Sequence, residues 1–231
     1  ASDEENEKKV RDIVAFLEYL LNTLGSPTTS TRDKEVVIRE SYSKIFRDDK
    51  VQIEDDLENR EVVTNKDIVA YLKDVDFFFT DVRFEFNIES VQGGGTDNNK
   101  VFYKVALQRH LKGTNLDGEE VNSTIPRFIE VNYDPEADGL KIVSMYTKGF
   151  DEKAALTAWW NDLSFEWRSV FQRKLNLTAD SLSFAEIQRA VSIDSLDVSN
   201  NPGIVSLAPL AQLTHLKYLN LSSTTISDLT P

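Results

Sequence analysis

The chain contains no cysteine among its 231 residues. Disulfides, thiolate zinc sites and cysteine nucleophiles all require that side chain, so the sequence excludes all three. The absence leaves the cellular compartment open. The length allows one large domain or two small ones.

Positive charge is also scarce, because 26 lysines and arginines stand against 39 acidic residues, a net charge of −13. Nucleic-acid binding needs a basic surface, so we expect no nucleic-acid partner. The acidic surface is expected to keep the protein soluble, and a basic partner is the alternative. No apolar run approaches the roughly 18 residues of a transmembrane helix, so we expect none.

The chain opens with a polar run, from Ala1 to Lys9, that has no initiator methionine and no apolar signal core. This opening is typical of a mature chain whose targeting segment has been removed. We therefore expect a protein that is exported to the periplasm or cell envelope. A cytoplasmic location is the alternative.

Apolar residues at steps of three and four between residues 10 and 24 predict an amphipathic first helix. Gly25 is expected to end it. A second helix is predicted to begin at a cap on Ser30 or Thr31 and to continue to about Phe46.

A third, short helix is predicted after Thr64 and Asp67, which together resemble a capping box. Period-two alternation then predicts four strands, at about 82–89, 101–108, 129–133 and 140–147. A glycine-rich flexible loop is predicted at 92–99, and Pro126 predicts an edge position or a bulge.

This order predicts an α+β fold, with helices packed on one face of a curved antiparallel sheet. Over about residues 7–148 it resembles the nuclear transport factor 2-like (SnoaL-like) superfamily, with a cystatin-like sheet as the alternative. The resemblance implies a cavity between sheet and helices, which is catalytic in some members.

We expect four aromatic residues to line that cavity: Tyr42, Phe84, Phe86 and Tyr103. A steroid-isomerase-like site also needs a carboxylate base and an acidic donor. The inward strand positions are almost all apolar, which favours a filled core or an apolar ligand pocket. A small-molecule binding protein or enzyme using this cavity is the alternative function.

The composition changes near residue 151, where all three tryptophans fall within nine positions of a helical stretch. We expect these tryptophans to form a buried interdomain core rather than an exposed ligand platform. A further short helix is predicted at about 181–190. The predicted domains are residues 1–150, the α+β domain, and 151–231, a helical cap followed by about two repeats.

The repeat is visible as two related segments, 193–201 and 216–224. Three apolar residues of the first recur 23 residues later, Ile193, Leu196 and Val198 as Leu216, Leu219 and Leu221. This spacing resembles the short leucine-rich repeats of bacterial internalin-like proteins. The resemblance implies a solenoid with Asn201 at its asparagine-ladder position, and Thr224 replaces that residue in the second segment.

Solenoids bind partners on the strand face, so we predict a protein or glycan partner there. The candidate residues point out of the two strands: Ser195, Asp197, Ser199, Tyr218, Asn220 and Ser222. A leucine-rich unit needs neighbours or a cap. We therefore expect the natural chain to continue past Pro231, or another chain to cover that end.

No catalytic residue is predicted. The two histidines, His110 and His215, lie in different predicted domains without a visible nucleophile and acid. The acidic run at 134–139 is interpreted as a hairpin turn, so neither a metal nor another cofactor is expected. The leading hypothesis is a non-enzymatic recognition protein, and a purely structural scaffold is a third possibility.

Overall fold

A computed structural model describes residues 3–59, 62–97, 100–179 and 181–231. Contacts divide the chain into two compact units. The first unit comprises Ala1–Asn59 and Asn65–Lys148, and the second comprises Arg60–Thr64 and Gly149–Pro231.

The first unit begins with helices and continues into a sheet. Its elements are α1 (Asp3–Gly25), α2 (Thr31–Arg39), a 3₁₀ turn (Ser41–Lys44), β1 (Gln52–Glu54), β2 (Asn65–Asp67), α3 (Ile68–Phe77), β3 (Phe79–Asp97), β4 (Lys100–Asn115), β5 (Glu120–Asp134) and β6 (Gly139–Tyr146).

The six strands form one curved mixed sheet in the order β2-β1-β6-β5-β4-β3. The long strands β3 to β6 pair antiparallel, as predicted. The short strand β1 pairs parallel to β6, which makes the sheet mixed. The α+β class is therefore confirmed, and two short strands are added to it.

The core of the first unit lies between the helices and one face of the sheet. The predicted first helix is confirmed, and its buried residues include Val10, Leu17 and Leu24. Gly25 ends it where α1 approaches β3 so closely that a Cβ atom would lie 2.1 Å from the Val82 carbonyl oxygen. A side chain at this position would push α1 off the sheet.

The predicted cap of the second helix is confirmed, since the Ser30 hydroxyl accepts a 3.1 Å hydrogen bond from the Asp33 N–H. The predicted end at Phe46 is wrong, because α2 stops at Arg39. The chain unwinds so that its backbone can pair with β6. The Ile142 N–H donates to Ile45, and the Arg47 N–H donates to Ile142.

The predicted capping box at Thr64 is also wrong. Residues 65–67 form β2 instead, and α3 begins at Ile68. The Asp67 carboxylate makes no cap hydrogen bond and accepts one from the Gln52 side chain on β1. Pairing with β1 has therefore taken the segment that local pattern assigns to a helix start.

Of the two predictions made about strand ends, one concerns the loop at 92–99 and the other concerns Pro126. The loop predicted at 92–99 is wrong in extent, because β3 continues to Asp97, with a register shift between Gly93 and Gly95. Residues 98 and 99 lie outside the described residues. The edge position predicted for Pro126 is confirmed locally, since β6 pairs with β5 only from Phe128 onward.

In the part of the second unit that the structure describes, there are three helices, two short strands and a 3₁₀ turn. Its elements are α4 (Phe150–Asp162), α5 (Phe165–Leu175), α6 (Phe184–Val191), β7 (Ser195–Asp197), a 3₁₀ turn (Ala208–Gln212) and β8 (Tyr218–Asn220). The predicted helical stretch is divided at Ser164, whose hydroxyl caps α5.

The tryptophans lie in a core built by this unit's own helices and its β7 region. Trp160 and Trp167 are buried, and Trp159 packs against the cluster. Two indole N–H groups reach loop carbonyls, Trp159 to Pro209 and Trp167 to Ser206, both at 3.1 Å. Buried indoles need such acceptors. The tryptophans are thus core residues, as expected, and their core is internal to the second unit.

Candidate functional site

The two short strands of the second unit pair in parallel, with Ser195, Leu196 and Asp197 opposite Tyr218, Leu219 and Asn220. The 23-residue spacing seen in the sequence is therefore the register of this pair. The ladder extends to the Val198 N–H, which donates to the Asn220 carbonyl at 2.9 Å.

The turn after β7 is closed by a side chain. Asn201 Nδ2 donates to the carbonyls of Val198 and Ser199, at 2.8 and 2.9 Å. In the second segment the Thr224 hydroxyl makes one bond of this kind, to the Leu221 carbonyl at 2.8 Å. These contacts satisfy backbone groups that the turn would otherwise leave unpaired.

We expect Asn201→Ala to destabilise the second unit by about 1–2 kcal/mol, since it removes two hydrogen bonds to turn carbonyls. Urea unfolding followed by tryptophan fluorescence measures this, because all three tryptophans belong to that unit. Gln212→Ala, at an exposed position of the 3₁₀ turn, is the control. Equal stability of the two variants would contradict the role of the Asn201 side chain in closing this turn.

The six predicted partner-binding residues form what we call the repeat face: Ser195, Asp197, Ser199, Tyr218, Asn220 and Ser222. Four are exposed, and the serines at 195 and 199 are half-buried. Tyr218 is 71% exposed. Hydrogen bonds from the hydroxyl and the backbone N–H of Ser199 lower the pKa of Asp197, so this face carries a negative charge at neutral pH.

Beside the repeat face lies a pocket of about 500 Å³. Two lysines, Lys174 and Lys217, line it together with His215 and one acidic residue, Asp194. Lys174 Nζ donates to the Ser195 hydroxyl at 2.9 Å, which joins the pocket to the repeat face. The pocket is a local basic patch on an acidic chain.

The outer side of β8 is only partly covered. Leu219 is 38% exposed, whereas Leu196, its partner across the strand pair, is buried. Pairing of this side with another chain stays a prediction.

In the first unit, the four predicted cavity residues belong to the core. Phe84 and Tyr103 are buried, and Tyr42 and Phe86 pack against the same cluster. The Tyr103 ring lies over Gly93, where a Cβ atom would come within 2.1 Å of it. These residues are brought together as packing, and they do not line the pocket beside the repeat face.

The sheet also buries a set of charges that the sequence reasoning missed, which we call the arginine cluster: Asp56, Tyr71, Arg109 and Arg127. Asp56 Oδ2 lies 2.9 Å from Arg109 Nε and 3.5 Å from Arg127 Nε. Asp56 Oδ1 accepts a 2.6 Å hydrogen bond from the Tyr71 hydroxyl. Both arginines are 1% exposed.

The other N–H groups of Arg109 and Arg127 differ in whether they make hydrogen bonds. Arg109 also donates to the Ser123 hydroxyl at 2.9 Å, and Arg127 Nη1 donates to the Glu54 carbonyl at 2.9 Å. Arg127 Nη2 is buried and makes no hydrogen bond. Burial and the adjacent Asp56 carboxylate raise the pKa of Tyr71 well above its ordinary value, so it is a hydrogen-bond donor at neutral pH.

Arg109 and Arg127 are two exceptions to the expectation that inward strand positions are almost all apolar. Arg109 lies between Leu107 and Leu111 on the inward side of β4, and Arg127 precedes the buried Ile129 on β5. The sequence feature that could have indicated these buried charges is a charged residue within the alternating series of apolar, inward-facing positions. The partner that makes this burial possible, Asp56, comes from a loop that the alternation does not describe.

Neither histidine forms a catalytic arrangement with its contacts. His110 Nε2 lies 2.8 Å from Asn122 Oδ1 on the outward side of β4, and His215 lines the basic pocket. Across residues 3–59, 62–97, 100–179 and 181–231, no group of three or more candidate side chains could hold a metal ion. None of the helices in these ranges is long and apolar enough to span a bilayer.

The sequence matches no protein-family model and no curated protein. Solved structures similar to it include a nuclear transport factor 2-like superfamily protein from Salmonella enterica serovar Typhimurium LT2, at 10% identity and a TM-score of 0.45, covering 64% of this chain and 93% of that chain. A second is a protein with a cystatin-like fold from Caulobacter vibrioides, at 11% identity and a TM-score of 0.40, covering 65% and 95%.

A third similar structure is the association domain of C. elegans CaMKII, at 11% identity and a TM-score of 0.36, covering 62% of this chain and 97% of that one. At these values the similarity concerns the general fold.

Proposed function

We propose that this chain is a non-enzymatic recognition protein that binds a protein or glycan through the repeat face. The observation that carries the proposal is the in-register parallel pairing of β7 and β8 at a 23-residue spacing. Such pairing lines up equivalent outward side chains in adjacent rows, and solenoids bind partners on faces of this kind. On this proposal the second unit is the opening of a leucine-rich repeat array.

The composition of the repeat face supports binding. Tyr218 is exposed beside Ser195, and Asp197 stands opposite Asn220. Tyrosine offers a large contact area at a small entropy cost, and short polar side chains adapt their hydrogen bonds to a partner. The face therefore combines an aromatic anchor with a polar surround, the usual arrangement of an interface hot spot.

The helices of the second unit have a supporting role in this proposal. They cover the first strand, because α5 and α6 share one hydrophobic core with Leu196 and Val198. A leucine-rich array needs such a cover at its end, since an open repeat would expose its core. We further propose that the first unit is a nuclear transport factor 2-like domain and that the protein is exported by a bacterium.

The test is partner capture with the protein carrying an affinity tag, against a glycan array and a protein extract from the exported fraction. We expect Tyr218→Ala to weaken the captured interaction about tenfold or more, as truncation of an aromatic hot spot does. Asn220→Ala should weaken it by a smaller factor.

Tyr19→Ala is the matched control, because Tyr19 is an exposed tyrosine of the first unit, on α1. It should leave capture unchanged. A partner retained by both Tyr218→Ala and Asn220→Ala, or lost with Tyr19→Ala, would contradict a binding role for the repeat face.

A further inference from the structure

The arginine cluster of the first unit has the components of a carboxylate-binding site. Two guanidinium groups and a phenol hydroxyl converge on one carboxylate, that of Asp56. Guanidinium groups are the side chains best suited to carboxylates, and their bonds strengthen away from water. One buried carboxylate faces two guanidinium groups, and Arg127 Nη2 still makes no hydrogen bond.

The parts of the cluster differ in how firmly they are held. Arg109 and Arg127 stand on the paired central strands β4 and β5, and Tyr71 stands on α3. Asp56 instead follows β1 in a connection that is neither helix nor strand. The positive part of the site is therefore fixed by the scaffold, and its anion is supplied by a loop.

Outside the Asp56 carboxylate, two contacts tie this loop to the scaffold: Asp55 pairs with Lys66 at 3.0 Å, and the Asp56 main-chain carbonyl accepts from Arg109 Nη2 at 3.4 Å. The bond from the Leu57 N–H to Asp55 Oδ1, at 3.1 Å, lies within the loop itself. The Leu57 side chain is buried in the core of the first unit. If the loop moved away, two groups would leave the interior together, a carboxylate from the arginines and a branched aliphatic group from the core.

We propose that Arg109, Arg127 and Tyr71 form a binding site for a small carboxylic acid with an apolar body, and that Asp56 occupies the site when no ligand is bound. The ligand carboxylate replaces that of Asp56 between the two guanidinium groups. Its apolar part takes the volume left by Leu57, which belongs to the same hydrophobic cluster as Leu107 and Leu111 of β4. Bound ligand and inserted loop therefore exclude each other. This inference concerns the first unit and does not rest on the repeat face.

The test uses 4-methylpentanoate, which carries a carboxylate and a branched aliphatic group, and its neutral amide as the matched probe. Binding to the full chain is measured by ligand-observed NMR. We expect the wild type to bind the carboxylate weakly and the amide at least about tenfold more weakly, because the amide lacks the charge that the guanidinium groups recognise.

Asp56→Asn removes the internal competitor while keeping the side-chain volume, so we expect it to bind the carboxylate about tenfold or more tighter than the wild type. Arg127→Gln should lose binding about tenfold or more. Arg47→Gln, which removes an exposed arginine of the same unit, should match the wild type.

A second measurement does not depend on the variants folding. In the wild type, saturating 4-methylpentanoate should increase the hydrogen exchange of the backbone N–H groups in residues 55–59, since the loop is displaced. The neutral amide probe should leave this exchange unchanged. Any one of four results would overturn the proposal. Two concern the probes and the loop: equal binding of 4-methylpentanoate and its amide, or unchanged hydrogen exchange in residues 55–59. Two concern the variant: binding of 4-methylpentanoate by Asp56→Asn but not by the wild type, or by neither of these proteins.

Discussion

Asp56→Ala is expected to destabilise the first unit by about 3–5 kcal/mol, the usual cost of removing one partner from a buried ion pair. The reason is electrostatic. Without Asp56, the guanidinium groups of Arg109 and Arg127 stay buried at 1% exposure with no carboxylate between them. Urea unfolding followed by far-UV circular dichroism measures the change.

Tryptophan fluorescence in the same titration reports the second unit alone, which contains all three tryptophans and serves as an internal reference. The control is Asp12→Ala, an exposed acidic position of α1, which should change stability by less than about 0.5 kcal/mol. A triple variant, Asp56→Leu with Arg109→Met and Arg127→Met, should recover much of the loss, because it leaves no buried charge unpaired. Similar losses for Asp56→Ala and Asp12→Ala would contradict the expected cost of leaving two buried guanidinium groups without their carboxylate.

Trp160→Ala is expected to destabilise the second unit by about 3–5 kcal/mol, as large aromatic-to-alanine changes in cores do. Trp160 is almost fully buried and packs against Trp159 and Phe171, with ring centroids 6.3 and 6.2 Å away. The cavity would open in the core that also holds the first repeat strand. The loss should therefore reach the repeat face as well as the helices.

Chemical denaturation followed by the fluorescence of the two remaining tryptophans measures the loss. Phe165→Ala is the matched control, since Phe165 is an aromatic residue of the neighbouring helix α5 that is 80% exposed. It should cost less than about 1 kcal/mol. If Trp160→Ala unfolded at the same denaturant concentration as Phe165→Ala, Trp160 would not be a core residue.

Several local features follow from the sequence alone. Apolar residues at steps of three and four predict the first helix, and Gly25 marks its end. Period-two alternation located the four long strands and hence the α+β class. These predictions are confirmed because each element buries one face, and the residues of one face recur at a fixed spacing in the sequence.

The repeat is a similar case. Its spacing in the sequence is the register of the β7–β8 pair, because each apolar residue of one segment stacks on its equivalent in the next. The ladder role of Asn201 also follows from its place in the pattern. The partner of the repeat face does not follow, since outward side chains carry no periodic constraint.

Features that depend on distant residues required the tertiary structure. The second helix ends at Arg39 because the following backbone pairs with β6, almost a hundred residues away in the sequence. The segment before α3 becomes a strand because β1 pairs with it, against a local pattern that favours a helix start. Tertiary hydrogen bonds outweigh local propensities of a few tenths of a kcal/mol.

The arginine cluster shows the same limit most clearly. Arg109 and Arg127 occupy the alternate strand positions that face inward, but the apolar alternation does not predict which group compensates a buried charge there. Their counterion is Asp56, 53 residues before Arg109, in a connection whose sequence shows only a run of acids. Periodic burial therefore predicts the first helix, the four long strands and the 23-residue spacing of the repeat, because each of these elements buries one face. The charges that meet inside the sheet are known only from the folded chain, because their meeting depends on the path of a loop without periodicity.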